Sequence, residues 1–212
     1  MTIPFDTEIV QALHGIAVQF GLLTWVVVLA ATYLPYILGV AALVVIFRER
    51  PWRKAIWLFL AVGLTAILSR GLITSLLHQF VERARPFVAL GFDPLVTVSA
   101  SERLASFPSG HAAFFFAIAF VLFYSNRRTG WWFVGFSVLN GLARVAAGVH
   151  YPSDVLGGII IALASAYAVH LLIRRFAPKI VVSMKQPPAE PAAPALPEKS
   201  EGEPPPGVPA GI

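Results

Sequence analysis

The sequence predicts an all-α fold: a polytopic integral membrane helical bundle with about five or six transmembrane helices. Two observations carry this. Of 212 residues, 57% are hydrophobic and only 13% are charged, with a mean hydropathy of +0.74. A soluble domain is roughly 45–50% apolar and about a quarter charged. The apolar residues also fall in runs that reach the roughly 20 residues a helical span needs. The alternating pattern of a transmembrane β-strand is absent, which excludes a barrel.

Residues 1–20 repeat Ile9, Leu13, Ile16 and Phe20 at helical spacing beside Asp6, Glu8 and Gln11, the pattern of a short interfacial helix. From Ile16 to Phe47 the chain is almost continuously apolar. At about 1.5 Å per residue this is too long for one untilted span and too short for two. One span over Thr24–Phe47, bent at Pro35, resolves the conflict. A second arrangement makes residues 7–30 a separate span, giving the higher count. After the basic loop Arg48–Lys54, further spans are expected over Ala55–Leu77, Gly110–Tyr124, Trp131–Ala147 and Ser153–Ile173. Residues 78–110 form a polar, proline-containing connection. The membrane domain thus covers 21–180, and the Pro/Ala/Glu-rich stretch 181–212 reads as a disordered cytoplasmic tail that cannot bury a core.

The net charge of +5 does not point to nucleic acid, because most basic residues flank apolar runs and so set topology. With no cysteine, a disulfide framework, a thiolate zinc site and a thiol nucleophile are all excluded. Arg48, Arg50, Arg53, Lys54, Arg127, Arg128, Arg174, Arg175 and Lys179 fall on one side of the span pattern. Arg83, Arg85, Arg103 and Arg144 fall on the other. The positive-inside rule makes the first side cytoplasmic.

The second side holds three motifs: Arg85-Pro86, Pro108-Ser109-Gly110-His111, and Arg144 followed by His150 and Asp154. A neutral imidazole at His150 is a competent nucleophile toward phosphorus, and Asp154, four residues on, can orient it and stabilise the imidazolium. Arg144 and Arg85 can clamp phosphate oxygens and stay charged. Ser109 is a good N-cap, and Gly110 lets a ligand approach the free N–H groups of a helix start. His111 is placed to protonate a leaving oxygen. His78 and Arg83 are candidate helpers. Arg70 lies within a predicted span, where a charge is expensive. Its favoured reading is a structural pair with a polar group on another helix; the other is contact with a second phosphate.

Together the motifs resemble the type 2 phosphatidic acid phosphatase superfamily, whose pattern is Lys-x6-Arg-Pro, Pro-Ser-Gly-His and Ser-Arg-x5-His-x3-Asp. Two positions depart from it: His78 stands where the Lys is expected, and Ala143 replaces the Ser. Ala12-Leu13-His14-Gly15, Arg85-Pro86-Phe87-Val88 and His150-Tyr151-Pro152-Ser153-Asp154 look most like the bacitracin-resistance type of undecaprenyl-diphosphate phosphatase. The resemblance implies metal-independent hydrolysis of undecaprenyl diphosphate to the monophosphate, with no cofactor, recycling the carrier lipid of cell-wall synthesis. His150, His111 and Asp154 would be catalytic, and Arg85, Arg144, Ser109, Gly110 and His78 would bind phosphate. It implies a bacterial cytoplasmic membrane and a polyprenyl or other lipid phosphate as partner. Rival readings are a phosphatase of phosphatidylglycerophosphate, phosphatidic acid or lipid A, and a non-catalytic lipid transporter.

The loop charges give a direct topological expectation. Cysteines introduced at Ser101 and Ser125 should label from opposite sides of the membrane, Ser101 from outside. Labelling of Ser125 from outside would reverse the orientation.

Overall fold

The computed structural model describes residues 4–176, so the stretch 181–212 and its expected disorder lie outside the described residues. The regular structure of the described chain is helical, apart from one isolated β-bridge between Arg83 and Ala105. Its helices are α1 (Pro4–Gln19), α2 (Gly21–Thr32), α3 (Leu34–Arg48), α4 (Trp52–Phe80), the short α5 (Pro86–Leu90), α6 (Gly110–Ser125), α7 (Arg127–Ala146) and α8 (Pro152–Phe176).

Among the described residues, α4 (29 residues) and α8 (25 residues) are each long and apolar enough to cross a membrane. The pair α1 and α2 passes the same test together but is bent by 119°. Helices α3 and α6 are apolar and shorter. The expected span Thr24–Phe47 is therefore two helices, broken at Tyr33. Pro35 lies in the first turn of α3. There it lacks the N–H that a continuous helix would bond back, and its ring opposes the preceding turn. Outward faces carry Trp25, Leu29, Ile37, Leu60, Ile160 and Leu163, all exposed, as lipid contact requires.

Helix α6 is the centre of the bundle and packs on α4, α7 and α8. It is apolar almost all round, with Ala112, Ala113, Ala117, Ala119, Phe116 and Leu122 buried, which is the pattern of an enclosed helix. Lipid tails are as apolar as leucine, so close backbone approach and interhelical hydrogen bonds hold such bundles. Ser69 Oγ accordingly donates to the Ala113 carbonyl at 3.1 Å, and Asn140 Nδ2 to the Ala30 carbonyl at 2.9 Å.

The amphipathic reading of α1 needs correction. Asp6 was placed on its polar side, yet Asp6 is only 3% exposed, and His14 is buried as well. His14 Nδ1 bonds the Ala146 carbonyl at 3.0 Å and its ring stacks on Phe92, so α1 is fastened to the end of α7. Helix α7 then stops in a Schellman motif: Gly148 N donates to the Val145 carbonyl (2.9 Å) and Val149 N to the Arg144 carbonyl (3.2 Å). Gly148 sits at φ +76°, in the left-handed region.

A Cβ at Gly148 would be strained by this φ and would lie 2.3 Å from Phe92 Cε2. Gly148→Ala should cost roughly 1–3 kcal/mol of stability, read as a lowered unfolding temperature in detergent. An unchanged transition would show that the turn tolerates a side chain.

Candidate active site

The polar segment 81–109 folds back on itself before reaching α6. Arg83 N donates to the Leu104 carbonyl (2.8 Å), Arg85 N to the Arg103 carbonyl (2.9 Å), and Ser106 N to the Arg83 carbonyl (3.0 Å). In this extended pairing residues 83 and 85 share a face. The α7 turn delivers His150 to the same place, and Asp154 follows in the first turn of α8.

Asp154 is fully buried and its oxygens are all engaged. Oδ2 accepts from Ser106 Oγ at 2.6 Å and from Tyr151 N at 2.8 Å. Oδ1 accepts from Arg83 Nη1 at 2.5 Å. The other end of Arg83 pairs with Asp6 of α1 at 2.8 Å, and its guanidinium lies 4.2 Å above the Tyr151 ring. Asp6 in turn accepts from Ser153 N at 3.1 Å and from the Ser153 hydroxyl, and so caps the start of α8.

His150 is 2% exposed. Its Nδ1 lies 3.0 Å from the Ser106 carbonyl oxygen and 3.6 Å from Asp154 Oδ2. Both are acceptors, so Nδ1 carries the hydrogen and Nε2 keeps its lone pair in the neutral ring. The expected bond from His150 to Asp154 is thus replaced by one to a backbone carbonyl, with the carboxylate just behind it. Burial pushes the imidazole down to about 4; the Asp154 carboxylate opposes the shift, and Arg144 and Arg85 add to it. The ring is therefore neutral near pH 7.

Nε2 faces Arg85 Nη1 at 3.3 Å. Arg85 also donates from Nε to the Glu102 carbonyl (2.8 Å) and from Nη1 to the Val149 carbonyl (3.1 Å). Its carboxylate neighbour, Glu102, is 3.5 Å away and half exposed. Burial lowers the Arg85 pKa, with Glu102 and Asp154 opposing. Arg144, 9% exposed, reaches among the described residues only His111 Nε2, at 3.5 Å, and its Nε has no partner there. Among the described residues no carboxylate pairs with Arg144.

Ser109 caps α6 by accepting from Ala112 N at 3.4 Å, and Ser109 N is tied to the Asp154 carbonyl at 2.9 Å. The N–H groups of Gly110 and His111, in the first turn of α6, have no intrahelical acceptor. The three motifs are thus brought together. His78 is placed differently: its Nε2 lies 2.9 Å from the Pro108 carbonyl, so the ring supports the Ser109 turn from behind. Ala143 packs in an apolar cluster with Ala17, Val27 and Phe87. Asp6, Ser106, Ser153 and Glu102 were not singled out from the sequence. Arg83 was named there only as a helper, although its spacing of two from Arg85 in an extended segment was the available signal.

Residues 54–178 match the PAP2 superfamily, and the chain belongs to that superfamily. It is 34% identical to undecaprenyl-diphosphatase BcrC of Bacillus subtilis (strain 168), over 74% of this chain and 78% of that protein. It is 37% identical to a lipid A 1-phosphatase of Rhizobium etli over 45% of this chain and 42% of the relative. The crystal structure of Aquifex aeolicus LpxE shares the fold, with TM-score 0.60, 24% identity and coverage of 80% of this chain and 96% of that one.

Two arginines that are neighbours in sequence should fail in different ways. Arg83→Ala leaves Asp6 and Asp154 buried without their cation and should cost about 3–5 kcal/mol of stability. Arg85→Ala should change the unfolding temperature little and cut phosphate release instead. If Arg83→Ala melts like the parent and raises only KM, Arg83 is a phosphate ligand and not a brace.

Proposed function

We propose that this PAP2 superfamily member is a membrane lipid phosphatase that hydrolyses undecaprenyl diphosphate to undecaprenyl phosphate and phosphate. The observation that carries the reading is the buried cation excess around His150 Nε2. Among the described residues Arg144 pairs with no carboxylate and Arg85 pairs only with Glu102, at 3.5 Å, so the space between them and the α6 start suits a phosphate dianion. The choice of lipid is supported by the similarity to the Bacillus subtilis undecaprenyl-diphosphatase, which spans most of both chains.

In this mechanism the terminal phosphate displaces Arg85 from Nε2 and Arg144 from His111. Nε2 attacks the terminal phosphorus. The N–P bond forms as the bond from phosphorus to the bridging oxygen breaks, and the electron pair leaves with undecaprenyl phosphate. The imidazolium that results is stabilised by the Ser106 carbonyl and the Asp154 carboxylate. Arg144 Nη1 can only donate, so His111 Nε2 is the acceptor in their contact. A proton acquired with the substrate phosphate lets it protonate the departing oxygen. Water then attacks the phosphorus and gives a proton to the now neutral His111, the N–P bond breaks with its electron pair returning to Nε2, and phosphate leaves. The basic loops support a site on the outer face of the bacterial cytoplasmic membrane, where the spent carrier lipid would be exposed.

His150→Ala should abolish phosphate release while the protein stays folded, and rapid quench of the parent should trap an acid-labile phosphohistidine. In a panel of undecaprenyl diphosphate, phosphatidylglycerophosphate and phosphatidic acid, the diphosphate should give the highest kcat/KM. Near-parental turnover by His150→Ala would end the mechanism; preference for a monophosphate would end the substrate reading. In an NMR titration, the imidazole signal lost in His150→Ala should titrate near 4 and not near the usual 6.5 or so, with the nucleophile lost only as pH falls through the lower value.

A further inference from the structure

Beyond the basic first turn with Arg53 and Lys54, Arg70 is the one strong charge within α4, and nothing in the reaction above uses it. The segment Ile67–Thr74 is π-helical, a local widening found mostly at functional sites. The guanidinium, with five N–H donors, has one side-chain partner, Ser75 Oγ at 3.3 Å on the same helix. Among the described residues no carboxylate pairs with it and no polar group of another helix bonds it, so the favoured structural pairing is not formed. Such a charge in a span is costly unless something uses it.

Arg70 instead lies against the motif turn. A Cβ on Gly110 would fall 2.4 Å from Arg70 Nε and 2.8 Å from its Cδ, so a side chain there would have to push the guanidinium head aside. Arg70 and His111 together form the polar end of a groove of 640 Å³ between α3, α4 and α6. The rest of that groove is mainly apolar, lined by Leu43, Phe59, Val62, Phe114 and Ile118 among others. A fixed cation at the join between an apolar groove and a phosphate site matches a lipid with two phosphates in series: the terminal one at His150, the lipid-linked one at Arg70, and the chain in the groove.

We propose that Arg70 binds the second, lipid-linked phosphate of a diphosphate lipid and thereby sets the preference for diphosphates over monophosphates. This rests on the phosphatase reading above. When the bridging P–O bond breaks, the electron pair moves onto the phosphate that Arg70 holds, so the residue stabilises the leaving group as well as the bound substrate.

The test uses the full-length protein in detergent with two non-hydrolysable ligands that share one prenyl chain, a methylene diphosphonate and a monophosphonate. Arg70→Gln, which keeps a donor for Ser75, should weaken the diphosphonate roughly tenfold to a hundredfold more than the monophosphonate. Arg70→Lys keeps the cation and should retain part of the preference, which covers the case in which the Gln variant does not fold. The ratio of kcat/KM on prenyl diphosphate to that on prenyl phosphate should fall in step. Equal weakening of both ligands, or an unchanged ratio, overturns the role of Arg70. Parent protein that binds the diphosphonate preferentially yet releases no phosphate from the diphosphate would overturn the enzymatic reading and leave the subsite standing.

Discussion

The carboxylate of Asp154 is the point on which the rest of the site depends. It is fully buried and takes hydrogen bonds from a side chain on the 81–109 connection, a backbone amide of the loop before α8, and a guanidinium that is itself shared with α1. An ionised carboxylate in a membrane bundle is tolerable only when paired and fully bonded. Satisfying it forces Ser106, Tyr151 and Arg83 to converge. That convergence places the Ser106 carbonyl on His150 Nδ1 and leaves Nε2 as the open lone pair. Asp154 thus fixes the tautomer chiefly by holding the backbone that touches the ring.

Around the neutral ring of His150 the charges are unevenly paired. Arg83 is consumed by two carboxylates, whereas among the described residues Arg144 pairs with none and Arg85 with a half-exposed one at 3.5 Å. Cations held in a low-dielectric site without counter-ions bind an anion more strongly than the same groups in water. The α6 start adds unbonded backbone N–H groups beside Ser109, and the close approach of Arg70 to Gly110 carries positive charge to the edge of the apolar groove.

What could be read from the sequence and what could not divide along a physical line. The helical membrane class followed from composition and run length, and the helix starts at Gly110 and Pro152 followed from Ser109 and the proline itself. The motif residues were legible because their chemistry is carried by side-chain type at short spacing. The break at Tyr33, placed at Pro35 as a bend, was legible only in part: proline marks a disruption but not its size. Asp6 was misread because helical periodicity describes one helix facing one environment, and it treats an acid on α1 as solvent-facing. Its partners, Arg83 and Ser153, lie 77 and 147 residues away.

The sequence by itself determined that this is a helical membrane protein whose three motifs carry two imidazoles, a carboxylate and two arginines, because hydrophobic run length and side-chain type are local properties. Only the tertiary structure decided that Arg83 braces while Arg85 faces Nε2, that His78 supports the Ser109 turn, that His150 leans on a carbonyl, and that Arg70 reaches Gly110. Those outcomes depend on which buried charge finds which partner across helices. Near-identical side chains two residues apart differ in role because one faces two acids and the other an imidazole.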